Sequence, residues 1–314
     1  IGSISRSITH SLGSTPGMIM VKTTSHSTDW AVYHRSLPAH GSDRVDSLIL
    51  NSTSQSNSFE KFASHSEQTS SVFTVESTLN YTGRNYVAYI FAHDDASFGT
   101  DEDESIIKCG SFTGIGFKDI GFEPQFLLVK RTDASGNWQI YDNMRGVGNT
   151  RTDGGIAIYP NTSDQEGGSM GLFFEPTGFY NDTYGSATCI YMAIRRPNKP
   201  PEVGTDVFAI DTKAGTSPTP PTYYSGFPVD WSLKRDHTAT HNWQSRARLT
   251  GTEEMYTDLT NAGSAQASTT VTFDQMDGVG TNTGVDTASH NWMFKRAPGF
   301  FDVVAYSGDT SSSR

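Results

Sequence analysis

The chain has 314 residues, of which 18% are charged and 11% aromatic, and its formal net charge is −11. That balance argues against nucleic acid and anionic membrane as partners, and no apolar run is long enough to span a bilayer as a helix. Abundant Ser, Thr, Gly and Asn with few charges fits an all-β extracellular or virion protein with many turns, not a helical enzyme.

Taken in chain order, the sequence repeats itself three times. The first repeat, residues 1–93, has Pro16, Met18-Ile19-Met20-Val21-Lys22, Trp30 and Arg35, then strand-like runs at 71–75 and 86–91. There is no initiator Met and no signal peptide ahead of Ile1, so the chain reads as a processed product or one with further residues beyond its ends. Residues 94–104 form an acidic linker. The second repeat, 105–197, opens with a strand at 106–114, then Pro124, Phe126 to Asp133, Trp138, Asp142 and Arg145, with strands at 171–174 and 188–194. A Pro-rich connector and the third repeat fill 198–299, with an opening strand at 205–210, Pro228, Lys234, Trp243, and strands at 269–273 and 291–295. The Pro-to-Lys spacing is six each time and the Lys-to-Trp spacing eight, eight and nine. Short β-branched and aromatic runs between Gly, Asn, Asp and Ser are strand signals. The expected fold is therefore all-β: three tandem antiparallel β-sandwich repeats of jelly-roll or immunoglobulin-like type.

The first repeat has no opening strand, whereas the tail carries a spare one. Phe300, Phe301, Asp302, Val303, Val304, Ala305 and Tyr306, within a strand-like segment at 300–308, read as a donor strand. It would complete the first repeat of the next copy, where Ile8, Met18, Ile19, Met20, Val21, Tyr89 and Phe91 are the expected acceptor residues. Exposed strand edges invite such addition. The expected function is a head-to-tail structural fibre whose partner is a second copy.

Other features carry competing readings. Trp138, Asp142 and Arg145 could bind a sugar, since indole faces stack on sugar rings and carboxylates fix hydroxyls. Recurrence of the tryptophan at matching spacing favours a core anchor instead. Cys109 and Cys189 fall on the opening and closing strands of the second repeat, so a disulfide and two buried thiols are both open. The acidic residues at 94–104 lack the fixed spacing of a calcium loop and read as a solvated linker, so no cofactor or metal is expected. Sequons at Asn51, Asn80, Asn161 and Asn181 mark surface loops and possible glycosylation. No nucleophile elbow, zinc-helix motif or phosphate loop occurs, and an enzyme is not expected.

The runs FLLVKRTDASGNWQIYDNMRG (Phe126–Gly146), YMAIRRPNKPP (Tyr191–Pro201), GTDVFAIDTKAG (Gly204–Gly215) and FKRAPGFFDVVAYSG (Phe294–Gly308) resemble the repeat-containing tail-fibre-like structural proteins of bacteriophages. Their modules are described as concanavalin A-like or as uncharacterised fibre domains. The resemblance implies a virion or extracellular filament, with glycan recognition as the alternative.

Overall fold

The computed structural model describes residues 5–93, 98, 104–145, 156–167, 171–197, 201–214, 221–251, 253–265, 273–280 and 288–304. The described residues are all-β, with only single-turn 3₁₀ segments besides strands. They fall into two compact units. One lies within residues 1–141, 157–167 and 177–196, the other within 142–156, 168–176 and 197–314.

In the first unit β1 (Arg6–Thr9), β2 (Met18–Thr23), β3 (Ala31–His34), β4 (Ala39–His40), β5 (Arg44–Ile49), β6 (Asn57–Ala63), β7 (Val72–Val75) and β8 (Tyr86–Phe91) form one antiparallel sheet. Its order is β1-β7-β6-β5-β3-β2-β8, with β4 on β5. After β9 (Ile107–Phe112), β10 (Gly116–Asp119), β11 (Pro124–Arg131) and β12 (Trp138–Asp142) comes β13 (Leu172–Glu175), which falls within the second unit, and then β14 (Gly178–Asn181) and β15 (Cys189–Arg195) of the first. Here β12-β11-β15-β9 make a second sheet, and β10 pairs with β14.

One core joins these sheets. Met18, Val32, Leu48, Phe62 and Phe73 from the first lie in the same buried cluster as Cys109, Leu128, Trp138, Ile190 and Met192 from the second. The segments expected as first and second repeats therefore share a core instead of each closing its own. The reason is chemical: β11 and β15 are apolar on both faces, so the face turned away from Phe112 and Phe179 must also leave water. Gly17 permits this close approach, because a Cβ there would sit 2.7 Å from the Cys109 Sγ.

The second unit holds β16 (Phe208–Ala214), β17 (Tyr223–Tyr224), β18 (Trp231–Asp236), β19 (Gln244–Ala247), β20 (Glu253–Tyr256), β21 (Ser264–Ala265), β22 (Gly278–Val279) and β23 (Ala288–Phe294). The sheet order is β16-β23-β18-β19-β20-β21, and β17 pairs with β22. Tyr223, Phe227, Val229, Phe273, Val279 and Met293 form its buried core. β16 supplies the opening strand expected at 205–210, displaced toward the C-terminus. Thr269–Thr272 of the strand expected at 269–273 lie outside the described residues, and Phe273 is not in a strand.

Candidate functional site

A common neighbourhood recurs. In the second sheet the closing strand β15 lies between β11 and the opening strand β9. In the second unit β23 lies between β18 and β16. In the first sheet β8 has β2 on one edge and, among the described residues, no strand on the other. The Thr24 amide donates to the Asn85 carbonyl at 2.8 Å, which makes Lys22–Val87 and Met20–Tyr89 hydrogen-bonded pairs. By the antiparallel alternation, the amides of Ala88 and Ile90 face the open edge. Burial agrees: the first five residues of β15 are buried, whereas β8 is half-buried and its Tyr89 is 48% exposed.

Several expected acceptor residues fall elsewhere. Met18, Ile19 and Val21 are buried on β2 and Met20 is half-buried, so they back β8 and do not line its open edge. Ile8 pairs with Phe73 at the opposite end of the sheet. Tyr89 and Phe91 lie on the edge strand itself.

Among its described residues, 300–304, the expected donor segment forms no strand. A lone bridge joins Phe301 to Ala297, and Ala305 and Tyr306 lie outside the described residues. Phe301 packs 5.6 Å from Trp231 and 5.4 Å from Phe294, and Phe300 lies 6.4 Å from Phe294. Arg296 holds the segment through the Val303 carbonyl at 3.3 Å and the Asp302 carboxylate at 3.8 Å. Val304 is 54% exposed. The second edge of β23 in its own unit is already occupied by β16.

Trp138 is a core anchor. It is 1% exposed and its indole N–H donates to the Ile49 carbonyl at 2.9 Å. It has no free face for a sugar, which corrects the ligand reading of Trp138. Asp142 accepts the Met144 amide at 3.0 Å, and the Arg145 side chain lies outside the described residues.

A cation precedes each repeated tryptophan by eight residues, in all three cases. Thr24 N–H to Asn85 O, Thr132 N–H to Thr188 O and His237 N–H to Ala288 O all lie two residues beyond it. Arg235, and not Lys234, therefore holds the place of Lys22 and Lys130. Lys22 and Arg235 lie over Trp30 and Trp243, each 6.0 Å from the ring centre. Lys130 is buried and donates to the Thr53 and Arg131 carbonyls at 3.2 and 2.8 Å. Burial pushes its pKa down to about 8.

Sequence reasoning missed the acceptors of the tryptophan amides. Trp30 N–H donates to Asn51 Oδ1 at 2.9 Å, Trp138 to Asn161 at 2.9 Å and Trp243 to Asp258 at 3.1 Å. An Asn or Asp 21, 23 and 15 residues after the successive tryptophans was the available signal. Asn51 and Asn161 also donate their amides, to Asp29 and Asn137. Asn181 is 0% exposed, with its amide on the Gly114 carbonyl at 2.7 Å, so it does not mark a glycosylated surface loop. Asn80 is half-buried after a 3₁₀ turn.

The cysteines are free and buried. β9 and β15 are neighbours, as expected, but Cys109 stands opposite Met192 and Cys189 opposite Phe112. A three-residue offset puts the thiols on opposite sheet faces and about 10 Å apart along the strands, beyond disulfide reach. Burial pushes both thiol pKa values up to about 12. Among the described residues no His, Cys, Asp and Glu cluster suits a metal. Of the acidic linker, the described residues Phe98 and Glu104 form a β-bridge. No helix among the described residues is long and apolar enough to cross a membrane.

Fold and site together define an all-β protein of antiparallel sheets in which β8 is, among the described residues, an edge strand. Residues 2–195 match the domain of unknown function DUF7483, over more than half of the sequence, and the chain belongs to that family. The match ends where the first compact unit ends. No curated protein and no solved structure matches the chain.

Proposed function

We propose that this chain is a non-enzymatic structural subunit of an extracellular or virion helical fibre of the phage tail-fibre kind. It is built from three tandem repeats, the first two sharing one core, and its C-terminal segment adds to β8 of the next copy. The observation that carries this reading is the open second edge of β8, at the position where β15 holds β9 and β23 holds β16. The tail supplies a matching sequence: Asp302-Val303-Val304-Ala305 repeats Asp206-Val207-Phe208-Ala209, which leads into β16. By that match Val303 stands opposite Ala92, Ala305 opposite Ile90 and Tyr306 opposite Tyr89. Main-chain hydrogen bonds along the edge give affinity, and each large apolar side chain buried adds roughly 1.5–3 kcal/mol. A head-to-tail contact that does not close yields a helical filament.

Negative-stain microscopy and light scattering of the full chain and of a chain lacking 299–314 test this. The full chain is expected to form filaments and the truncated chain to remain monomeric. A Tyr89→Cys chain mixed with a Tyr306→Cys chain is expected to cross-link on oxidation. Filaments from the truncated chain, or a full chain that stays monomeric at high concentration, would overturn the reading.

A further inference from the structure

The chain carries one internal junction that a second copy can reproduce. In the first unit the strap Ile49–Ser56 seats on the loop between Lys130 and Trp138. The Ile49 carbonyl accepts the Trp138 indole N–H at 2.9 Å. The Thr53 carbonyl accepts the Gly136 amide at 2.8 Å and the Lys130 ammonium at 3.2 Å. Ser56 closes the strap on the Thr132 carbonyl at 3.0 Å.

Both halves of this junction recur, and among the described residues no strap is seated on the recurring loop. The receiving half recurs as Lys22 to Trp30, with the same spacing of eight, and its residues 24–29 are all exposed. Trp30 is stacked by Tyr89 at 6.0 Å and lies under the Lys22 ammonium. The strap recurs after β20. Asp258 accepts the Trp243 amide as Asn51 accepts that of Trp30, so Tyr256 holds the place of Ile49 and Thr260 that of Thr53. Residues 257–263 are exposed.

We infer that the Lys22–Trp30 loop is a docking surface for the 256–263 strap of a second copy. The Tyr256 carbonyl accepts the Trp30 indole N–H and the Thr260 carbonyl accepts the Thr28 amide. The occupant is another copy because the 49–56 strap beside Trp30 is already committed to Trp138. This rests on the fibre reading: the strap belongs to the unit that carries the donor segment, and the loop to the sheet that receives it. Strand and strap grip the same neighbour at two places.

The test mixes a Thr28→Cys chain with a Thr260→Cys chain under mild oxidation, so that only contacts between copies can cross-link. A covalent dimer on denaturing gels is the expected result, and Trp30→Ala is expected to raise the critical concentration for assembly about tenfold. Filaments in which the Tyr89→Cys and Tyr306→Cys chains cross-link, but Thr28→Cys and Thr260→Cys chains do not, overturn the strap while leaving the strand. Neither pair linking, with no filaments formed, means that the fibre reading has failed and the strap with it.

Discussion

His34 joins the two sheets of the first unit through a single imidazole. It is fully buried, its Nε2 lies 3.0 Å from the Tyr191 carbonyl, and its Nδ1 is 3.1 Å from the Ser36 amide. A carbonyl can only accept and an amide N–H can only donate, so the ring is the neutral Nε2–H tautomer. Protonating Nδ1 breaks the Ser36 bond and buries a charge. Desolvation accordingly pushes the pKa down to about 4. The unfolded chain then binds a proton that the folded chain does not, so stability falls as pH drops from about 6.5 toward 4. At pH 4.5 the loss is about 2–3 kcal/mol relative to neutral pH. Carboxylates titrate in the same range, so the measurement is a difference. Urea midpoints of the native chain and of His34→Gln, taken at pH 7.5 and 4.5, should converge by that amount as pH falls. A gap that stays constant assigns the acid sensitivity elsewhere.

Strands were the most legible level of this sequence, and their partners the least. Met18–Thr23, Val72–Val75 and Tyr86–Phe91 fall where β-branched and aromatic runs place them. Such runs record a local preference for a pleated, half-buried surface. Register is not local. The Cys109–Cys189 pairing failed because neighbouring strands can be offset by three residues. The third cation was misassigned to Lys234 because only the hydrogen bond from His237 to Ala288 fixes which residue faces which. Packing was hidden for the same reason: nothing near Trp138 in sequence announces that Ile49 will accept its N–H. Asn51 and Asn161 were read as sequons since their partners, the tryptophan amides, lie over twenty residues away. The open edge of β8 gives an element-scale prediction. In the truncated monomer the Ala88 and Ile90 amides should exchange with deuterium within seconds to minutes, whereas those of Val87 and Tyr89 are held by β2. In filaments Ala88 and Ile90 should become protected, and the alternation along β8 should vanish. Equal exchange at all four positions in the monomer would mean that β8 is not an edge strand.

At the scale of the whole molecule, the spare segment and the vacant edge constrain how assembly can be stopped. Phe300 and Phe301 rest on Trp231 and Phe294 in the free chain, so donation must first lift at least part of that contact away. The contact is small and Phe300 stays 43% exposed, which makes it a weak competitor for an edge offering a full ladder of main-chain hydrogen bonds. Charge opposes the encounter. Copies of a chain with net charge −11 repel one another, and salt screens that repulsion, so elongation should quicken between about 10 and 150 mM salt. A free peptide of residues 300–314 brings the strand without a second unit behind it. Once seated on β8 it completes the sheet and leaves the copy unable to accept a neighbour. Added at equimolar ratio before assembly, it should hold the chain as peptide-bound monomers by light scattering. The same peptide with Val303→Asp, which places a carboxylate where the buried Val207 stands in the second unit, should leave filament growth unchanged. If the native peptide also leaves growth unchanged, the interface that builds the fibre lies somewhere other than the edge of β8.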